Sequence, residues 1–322
     1  MASPVSTATT QGLTQQELEY RKKYIGASES AAIMGVNPYT SPSDIYYQRV
    51  HDIQPQMPEI ATLGQALEPY ILKRASADLG TLTRNNRRRV HPNSPMQATV
   101  DAFRVGCNEI VEAKLTHPFS FKKTQASPED RWGDPFTDQV PRYYLIQAQH
   151  QMHVLTAQTG EPWDVCWIAV MIGIDEFRLY KVNRYQQLGD KIEQAINEFW
   201  NNYITPQVPP NDPQGPSEDV LASLPRESGK ITTIDAALVT AYMEASDAES
   251  QAKKSKTAAK TRLITALGDA EIGKDTQGRE VQYSLITTSR FQQKKCEEVH
   301  PDIIAKFTEP SSYRRLTVKK GT

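Results

Sequence analysis

The sequence predicts a mixed α/β protein in which a sheet is flanked by helices, and two patterns carry this prediction. Apolar residues recur at helical spacing over 62–79 and 140–158, which indicates two long helices. Short apolar segments bounded by turn residues are typical of strands, and they occupy residues 87–91, 97–104, 109–116, 163–172 and 176–182. From Thr62 onward the order is therefore helix, three strands, helix, strand, which favours a mixed sheet covered by helices.

Shorter helices are expected before this core. A capping box at 14–17 predicts a helix that runs to about Tyr24. Ser28 is placed to cap a second short helix, and a third covers 43–51. Arg21 would then approach a helix N-terminus that carries a hydroxyl, an arrangement suited to binding phosphate.

Charged residues interrupt two of the apolar strands. The segments 97–104 and 109–116 are joined by a turn that contains glycine and asparagine, which predicts an antiparallel hairpin. Because successive side chains of a strand alternate between faces, Glu112 and Lys114 point the same way. The hairpin can bring Asp101 opposite them.

These residues offer the ligands of a hard metal ion. Asp101, Glu112 and the Ala113 carbonyl form an all-oxygen set suited to Mg²⁺ or Mn²⁺, and the Lys114 ammonium beside them can hold or polarise a water. A glutamate and a lysine two apart on a strand are usually a solvated face. Here they interrupt apolar strands, where an unpaired carboxylate is costly, so hydrolytic phosphodiester chemistry is expected.

The same residues carry a resemblance to a known family. Asp101 followed by Glu112, Ala113 and Lys114 resembles the D…E-x-K motif of the PD-(D/E)xK nuclease superfamily, although Val100 stands where the superfamily's name has proline. Further blocks in the same order resemble the YqaJ-type viral recombinases and the lambda-phage exonuclease family, and these blocks are Arg21 with 25–29, 64–69 and 144–149. The resemblance covers roughly residues 20 to 205.

The resemblance implies a restriction-endonuclease-like core and a Mg²⁺-dependent 5′-to-3′ double-stranded DNA exonuclease of phage-type homologous recombination. Such an enzyme hydrolyses one strand from a 5′-phosphorylated end to mononucleotides and leaves a 3′ single-stranded tail. It implies two Mg²⁺ ions, or Mn²⁺, held by Asp101, Glu112 and the Ala113 carbonyl. Glu68 would serve as an outer or second-metal carboxylate, although its place beside an apolar helical stripe is also typical of a boundary residue.

Other roles are likewise implied by the resemblance. Lys114 and Gln147 would orient and activate the water, while Arg21 and Ser28 would hold the 5′ phosphate, although helix capping alone would explain Ser28. A ring-shaped trimer and transfer of the single-stranded product to a phage annealing protein or recombinase are implied as well. The alternatives are an endonuclease on the same fold and a non-catalytic DNA-binding recombination factor.

DNA contacts must be local, because the formal net charge is only −1. Basic residues cluster at Arg84, Arg87, Arg88 and Arg89, and a second group lies between Lys253 and Arg262. Either group could face phosphates or be a solvated surface. Tyr144, Gln147 and Gln151 share one side of the helix over 140–158, and Tyr144 is a further candidate for DNA contact.

A long polar loop and two histidines add weaker signals. Residues 117–138 are long enough to form a flap, and Trp132 and Phe136 could stack on a base or anchor the loop to the core. His150 and His153 are spaced three apart without a third ligand, so a surface or DNA-facing role is expected rather than a transition-metal site.

The cysteine count and the hydropathy of the whole chain limit which cofactors and which cellular locations are expected. Three separated cysteines, Cys107, Cys166 and Cys296, cannot supply the four thiolates of an iron–sulfur cluster. No apolar run approaches the length of a membrane span, and the N-terminal segment does not resemble a signal peptide, so we expect a cytoplasmic protein. The resemblance implies that it is encoded by a phage or prophage and acts in the bacterial host cell.

Composition also suggests a domain division. Residues 1–12 are expected to be disordered and 13–205 to form the exonuclease domain. Five prolines mark a linker at 206–216. Residues 217–322 are then a small C-terminal α+β region, with an alanine-rich helix over 234–267 and a short helix near 301–307, and its sequence specifies no chemistry.

Overall fold

A computed structural model describes residues 15–53, 59–84, 87–124, 130–308 and 315–318. The chain divides into two compact units, Met1–Pro225 and Arg226–Thr322, and each is described by itself. No helix among these described residues is long and apolar enough to cross a membrane.

The first unit contains helices of very different length. In chain order they are α1 (Gln15–Lys23), α2 (Ser30–Ile33), α3 (Pro42–Val50), α4 (Glu59–Leu79), α5 (Pro118–Thr124), α6 (Arg142–Thr159), α7 (Gln186–Phe199) and α8 (Glu218–Ser223). A 3₁₀ turn, Ala27–Glu29, precedes α2, and a π-helical turn, Trp200–Ile204, continues α7.

The strands of the first unit form two sheets. They are β1 (Ile25–Gly26), β2 (Leu82–Thr83), β3 (Arg89–Val90), β4 (Met96–Ala98), β5 (Ala102–Arg104), β6 (Glu109–Thr116), β7 (Val165–Ile172) and β8 (Glu176–Asn183). The larger sheet has the order β2-β5-β6-β7-β8, and the smaller one has the order β1-β4-β3. Since β6 and β7 are parallel and the other neighbours in the larger sheet are antiparallel, this sheet is mixed.

The fold class expected from the sequence is confirmed. Helix α4, strands β2, β5 and β6, helix α6 and strand β7 follow one another in the order helix, three strands, helix, strand of the restriction-endonuclease-like core. The parallel pair β6 and β7 is connected through α6, as a parallel crossover requires. The predicted C-terminal α+β region is also present as helices and a hairpin.

Two strand predictions are wrong in detail. The expected first strand over 87–91 is reduced to β3, which belongs to the smaller sheet, and β2 supplies the first strand of the larger one. The expected continuous strand over 97–104 is broken at Thr99–Asp101 into β4 and β5, which lie in different sheets. The apolar pattern runs through this break, so only tertiary pairing could reveal it.

Helices α4 and α6 cover opposite faces of the larger sheet. Along β7, Ile168 belongs to the core cluster that includes Met152 of α6, while its neighbour Ala169 belongs to the cluster that includes Ile71 of α4. This is the alternation of faces that a strand imposes. Fully burying each large apolar side chain contributes about 1.5–3 kcal/mol, so the two layers fix the position of the central strands.

The proline-rich segment at 206–216 is hydrogen-bonded to the region of α3. Tyr46 donates to the Gln207 carbonyl at 2.8 Å, Ser41 donates to the Gly215 carbonyl at 2.9 Å, and the backbone N–H of Ser43 donates to Asp212 at 3.2 Å. This segment was expected to be a linker, and in the structure it is held by the first unit.

The second unit consists of one long helix followed by short elements. They are α9 (Ala236–Leu267), β9 (Ile272–Lys274), β10 (Glu280–Gln282), α10 (Gln293–Val299) and α11 (Pro301–Lys306), and β9 and β10 form an antiparallel hairpin. The Asp235 side chain caps α9 by accepting a hydrogen bond from the Ala237 N–H at 2.9 Å. The predicted helices over 234–267 and near 301–307 are confirmed.

Candidate active site

Asp101 lies where β5 stops pairing with β6. The register of these strands begins at Ala102 opposite Val111, so the backbone N–H of Ala113 has passed the end of its partner strand. The Asp101 carboxylate takes the place of that partner and accepts the Ala113 N–H at 2.7 Å. The break in the predicted strand therefore positions this carboxylate.

The Ala113 carbonyl lies on the same edge. In a sheet, the N–H and C=O of one residue face the same neighbouring strand, since directly paired residues exchange both bonds. The Ala113 N–H faces Asp101, so its carbonyl oxygen is directed to the Asp101 side of β6. The carboxylate and the carbonyl predicted to share a metal thus lie at one edge.

Glu112 is buried and held by three donors. The residue as a whole is only 6% exposed. Oε1 accepts hydrogen bonds from Lys114 Nζ and Gln147 Nε2, both at 2.6 Å, and Oε2 accepts one from Gln151 Nε2 at 2.7 Å. Gln147 and Gln151 are four apart on α6 and therefore lie on one face of that helix.

The electrostatics of Asp101, Glu112 and Lys114 follow from their burial. Burial, and then the charge of Glu112, raise the pKa of Asp101 to about 8, although Lys114 and the Ala113 N–H oppose this change. Burial lowers the pKa of Lys114, but the charges of Glu112, Tyr144 and Asp101 outweigh it and the net result is a raised pKa. Lys114 is therefore a cation at neutral pH and cannot take a proton from water.

Glu68 lies on α4 near this group. Its carboxylate accepts a hydrogen bond from Arg84 Nη2 at 2.5 Å. Its charge also raises the pKa of Asp101, so the two carboxylates are within electrostatic range. The side chain is 23% exposed.

A cleft of about 230 Å³ connects the carboxylates to the predicted phosphate-binding residues. Asp101, Glu112 and Gln147 line it together with Arg21, Ser28 and Arg88. These six residues come from α1, the 3₁₀ turn, β6, α6 and the segments next to β3 and β5. The structure thus brings both predicted groups into one cleft.

The turn that carries Ser28 is fixed by residues that sequence reasoning missed. Glu29 accepts the Gly26 N–H at 2.7 Å and forms an ion pair with the buried Arg49 of α3. Ser28 itself lies inside the 3₁₀ turn Ala27–Glu29, whose N-cap is Gly26, so the prediction that Ser28 caps a helix is wrong. In the sequence, the acidic residue Glu29 next to Ser28 was the one local sign that this turn needs a basic partner such as Arg49.

Arg88 lines one side of the cleft. Its guanidinium carbon lies 4.4 Å from the centroid of the Tyr20 ring, a distance typical of a cation–π contact. Its buried Nε has no hydrogen-bond partner among the described residues. Arg87, predicted beside it, is exposed.

Tyr144 lies beside Lys114 in this structure. The Lys114 Nζ lies 5.3 Å from the centroid of its ring. The ring centroid is also 4.3 Å from that of Tyr143 and 5.4 Å from that of Trp132. Tyr144 therefore packs beside Lys114, and its contact with DNA stays a prediction.

The aromatic residue Trp132 of the predicted flap anchors the loop to the core. It is 3% exposed, and its ring centroid lies 4.9 Å from that of Tyr180. Phe136 is exposed, and its backbone N–H donates to the Leu179 carbonyl at 2.6 Å. Of the two readings left open by the sequence, anchoring holds for Trp132.

The surface role expected for His150 and His153 is wrong, because both are buried. His150 contacts the Ser30 hydroxyl at 2.5 Å and the Gln97 carbonyl at 2.9 Å. Burial lowers its pKa to about 3, so the ring is neutral and connects α6 to α2 and β4. Helical spacing of the two histidines gave no sign of these partners.

The chain is similar to several known proteins. The chain is 26% identical over 314 residues to the uncharacterized protein YqaJ of Bacillus subtilis (strain 168), covering 93% of this chain and 92% of the relative. An alkaline exonuclease (LHK-Exo) from Laribacter hongkongensis is similar in structure, with a TM-score of 0.45, 20% identity, and coverage of 61% of this chain and 94% of that one.

A phage related exonuclease from Haemophilus somnus 129PT is also similar, with a TM-score of 0.42, 16% identity, and coverage of 57% of this chain and 96% of that one. Residues 18–161 match the YqaJ-like viral recombinase domain. This range includes Arg21, Ser28, Asp101, Glu112 and Gln147, which line the cleft. Over this range the chain is similar to the YqaJ-like viral recombinase family.

Proposed function

We propose that this chain is a metal-dependent 5′-to-3′ exonuclease of double-stranded DNA that acts in phage-type homologous recombination. It hydrolyses one strand from a 5′-phosphorylated end to mononucleotides and leaves a 3′ single-stranded tail. The match of residues 18–161 to the YqaJ-like viral recombinase domain supports this proposal.

The observation that carries the proposal is the shared cleft. Arg21 and Ser28 line the same space of about 230 Å³ as Asp101 and Glu112. A phosphate bound by the first pair would lie next to the hydrolytic group. An enzyme that cuts only at a terminus needs such an arrangement, whereas an endonuclease gains nothing from a terminal-phosphate pocket at its reacting bond.

The residues present fit a divalent metal ion. Burial, and then the charge of Glu112, raise the pKa of Asp101 to about 8, and a bound cation would offset both effects. Asp101, Glu112 and the Ala113 carbonyl would hold Mg²⁺, or Mn²⁺, and Glu68 could assist a second ion. When bound, the metal supplies Lewis-acid activation of water and stabilises charge on the phosphate.

The protein's own side chains position these groups. Gln147 and Gln151 fix the direction of the Glu112 carboxylate. The Lys114 ammonium, which stays charged, orients the attacking water and stabilises the negative charge that develops on the phosphate. Arg21, Arg88 and the Ser28 hydroxyl bind the terminal phosphate and so place the scissile bond.

The proposal extends to partners. DNA ends are the substrate, and the single-stranded tail would pass to a phage annealing protein or recombinase. We also propose that the chain forms a trimeric ring and acts in the bacterial cytoplasm. Both of these proposals rest on the resemblance to the lambda-phage exonuclease family. Residues 13–205 remain our proposed exonuclease domain and 217–322 our proposed C-terminal region, with 206–216 between them.

The test compares linear, nicked-circular and closed-circular DNA with Mg²⁺ present. From the linear duplex we expect mononucleotides to be released from the 5′ end and a 3′ single-stranded tail to remain. We expect no cleavage of the closed circle. Linearisation of a circle would favour the alternative endonuclease. Binding to ends without any hydrolysis in Mg²⁺ or Mn²⁺ would favour the non-catalytic factor.

A further inference from the structure

Two imidazoles and a carboxylate meet away from the cleft. His91 follows β3, His153 lies on α6 and Glu193 lies on α7. One ligand atom from each of the three side chains lies within 4.8 Å of the other two. These residues are outside the group described above for hydrolysis.

Helix α6 separates this group from the cleft. His153 follows Gln151 by two positions, and residues two apart on an α-helix point in nearly opposite directions, about 200° apart. Gln151 therefore faces Glu112, while His153 faces Glu193 on α7. A ligand bound at this group would not share the catalytic space.

The spacing is close to that of a tetrahedral zinc site. His153 Nε2 lies 2.8 Å from one oxygen of Glu193, and His91 Nδ1 lies 3.6 Å from the other. The two rings are parallel within 4°, with centroids 5.5 Å apart. Zinc bonds to nitrogen and oxygen are about 2.0–2.2 Å long, so tetrahedral ligands lie about 3.4 Å apart.

The position of His91 also allows a cation beside Glu193. The backbone N–H of Asn93 lies 3.3 Å from His91 Nδ1, and the same nitrogen lies 3.6 Å from a Glu193 oxygen. An imidazole nitrogen has one lone pair in the ring plane, so a metal bound at Nδ1 would replace this long hydrogen bond.

The ring of His153 is fixed by its contact with α7. Gly189 precedes Glu193 by one helical turn, and a Cβ added at Gly189 would lie 2.6 Å from His153 Nδ1. Glycine thus lets the helix approach the ring closely. That buried Nδ1 has no hydrogen-bond partner among the described residues, while Nε2 is directed to Glu193. At 2.8 Å from a carboxylate oxygen, Nε2 carries the ring proton, and a metal bound at this nitrogen would displace that proton.

We propose that His91, His153 and Glu193 form a second metal site that binds a transition-metal ion of the zinc class. Two imidazoles and one carboxylate are an established zinc ligand set that leaves a fourth position for water. Imidazole ligands favour such ions over Mg²⁺, so this site differs in selectivity from the all-oxygen catalytic site. The Glu193 side chain is 25% exposed, which gives the ion access from solvent.

Such an ion would join three elements that are distant in sequence. It would tie the segment after β3 to α6 and α7, and thus stabilise the helical layer that carries Gln147 and Gln151. The expected effect is on thermal stability and not on the hydrolytic step.

The test uses the full chain stripped of metal, with Zn²⁺ as the probe and Mg²⁺ in excess. Equilibrium dialysis with elemental analysis should find one Zn²⁺ per chain, Zn²⁺ should raise the melting temperature, and Co²⁺ should give the visible absorption of a four-coordinate ion. Glu193→Gln and His153→Asn should each weaken Zn²⁺ binding at least tenfold. Asp190→Asn and Glu198→Gln, exposed acids on the same helix, should bind as the wild type does.

Other results would overturn the proposal. If no Zn²⁺ binds in the presence of excess Mg²⁺, then His91, His153 and Glu193 form a hydrogen-bonded cluster and not a metal site. Zn²⁺ that is lost in Asp101→Asn but kept in Glu193→Gln would belong to the catalytic site. If His153→Asn fails to fold, Glu193→Gln decides the question alone, because it is a conservative change at a partly exposed position.

Discussion

Gln151 donates a hydrogen bond to Glu112 across the interior, with its Nε2 2.7 Å from Oε2 of the carboxylate. The same Nε2 lies 3.0 Å from the Thr99 carbonyl, at the break between β4 and β5. The amide therefore connects the two parts of the site, the segment that presents Asp101 and the strand that presents Glu112.

Replacing Gln151 with leucine should lower the catalytic rate about 10- to 100-fold. A hydrogen bond to a charged group contributes roughly 1.5–3 kcal/mol, and here it sets the direction of the carboxylate. We expect a higher Mn²⁺ concentration for half-maximal activity, with the affinity for DNA ends in Ca²⁺ unchanged.

Gln149→Leu is the matched control for this variant. Gln149 is a buried amide on the same helix, and it donates to the Asn183 carbonyl at 2.7 Å. Its loss should lower the melting temperature without changing the Mn²⁺ requirement. An equal change in the Mn²⁺ requirement for both variants would refute a specific role for Gln151.

Glu112→Ala and Lys114→Ala should each reduce cleavage by on the order of 10³-fold or more, because both groups stabilise charge that develops in the transition state. Binding to DNA ends should remain measurable, since these groups act less on the ground state. Ca²⁺ should support binding but not turnover, because it tolerates looser geometry than Mg²⁺. Near-wild-type cleavage by either variant, measured against a Lys181→Ala control on β8, would exclude the metal-site assignment.

The long elements could be predicted from the sequence because their periodicity is sustained. Helices α4, α6 and α9 and strands β7 and β8 begin and end within three residues of the predicted positions. The smaller sheet could not be predicted. Its strands are two or three residues long, and β1 pairs in parallel with a strand about seventy residues away, so no local pattern records it.

Local spacing along the chain could predict those site residues that lie on long strands and helices. Glu112 and Lys114 follow from strand alternation, and the side of α6 that carries Gln147 and Gln151 follows from helical spacing. The pairing of Glu29 with Arg49 and the burial of His150 depend on contacts between distant segments. Such contacts leave no trace in spacing along the chain.

Arg21→Ala should remove the preference for a 5′-phosphorylated end. A charge-assisted contact contributes roughly 1.5–3 kcal/mol, so the phosphate should raise the digestion rate of the wild type about ten- to a hundred-fold. The variant should lose most of this gain while its Mg²⁺ requirement stays the same. The measurement is a time course on two linear duplexes that differ only in the 5′ phosphate.

Lys23→Ala is the control for the loss of one positive charge on the same helix, α1. It should keep the phosphate preference. Equal wild-type rates for both ends, or a preference that survives in Arg21→Ala, would contradict recognition of the end by Arg21 and favour the endonuclease.

The metal-free protein should lose stability as the pH rises towards 8. Asp101 has a folded-state pKa of about 8, raised by burial and by Glu112 from an ordinary value of 3.8. A folded-state pKa above the unfolded one means that the folded protein binds the proton more tightly. Its stabilising contribution is therefore complete below about pH 4 and is lost as the pH rises through the folded-state pKa, at most about 1.4 kcal/mol per pH unit.

Melting curves in EDTA between pH 5 and 9 measure this effect, with Asp101→Asn as the comparison because asparagine does not titrate. All other groups titrate in both proteins, so the difference between their slopes isolates Asp101. We expect a steeper fall in melting temperature for the wild type, and we expect Mn²⁺ to reverse it most at high pH, where no proton competes with the ion for the carboxylate. Parallel slopes for the two proteins would show that Asp101 is already ionised at pH 5 and that Lys114 alone compensates the two carboxylates.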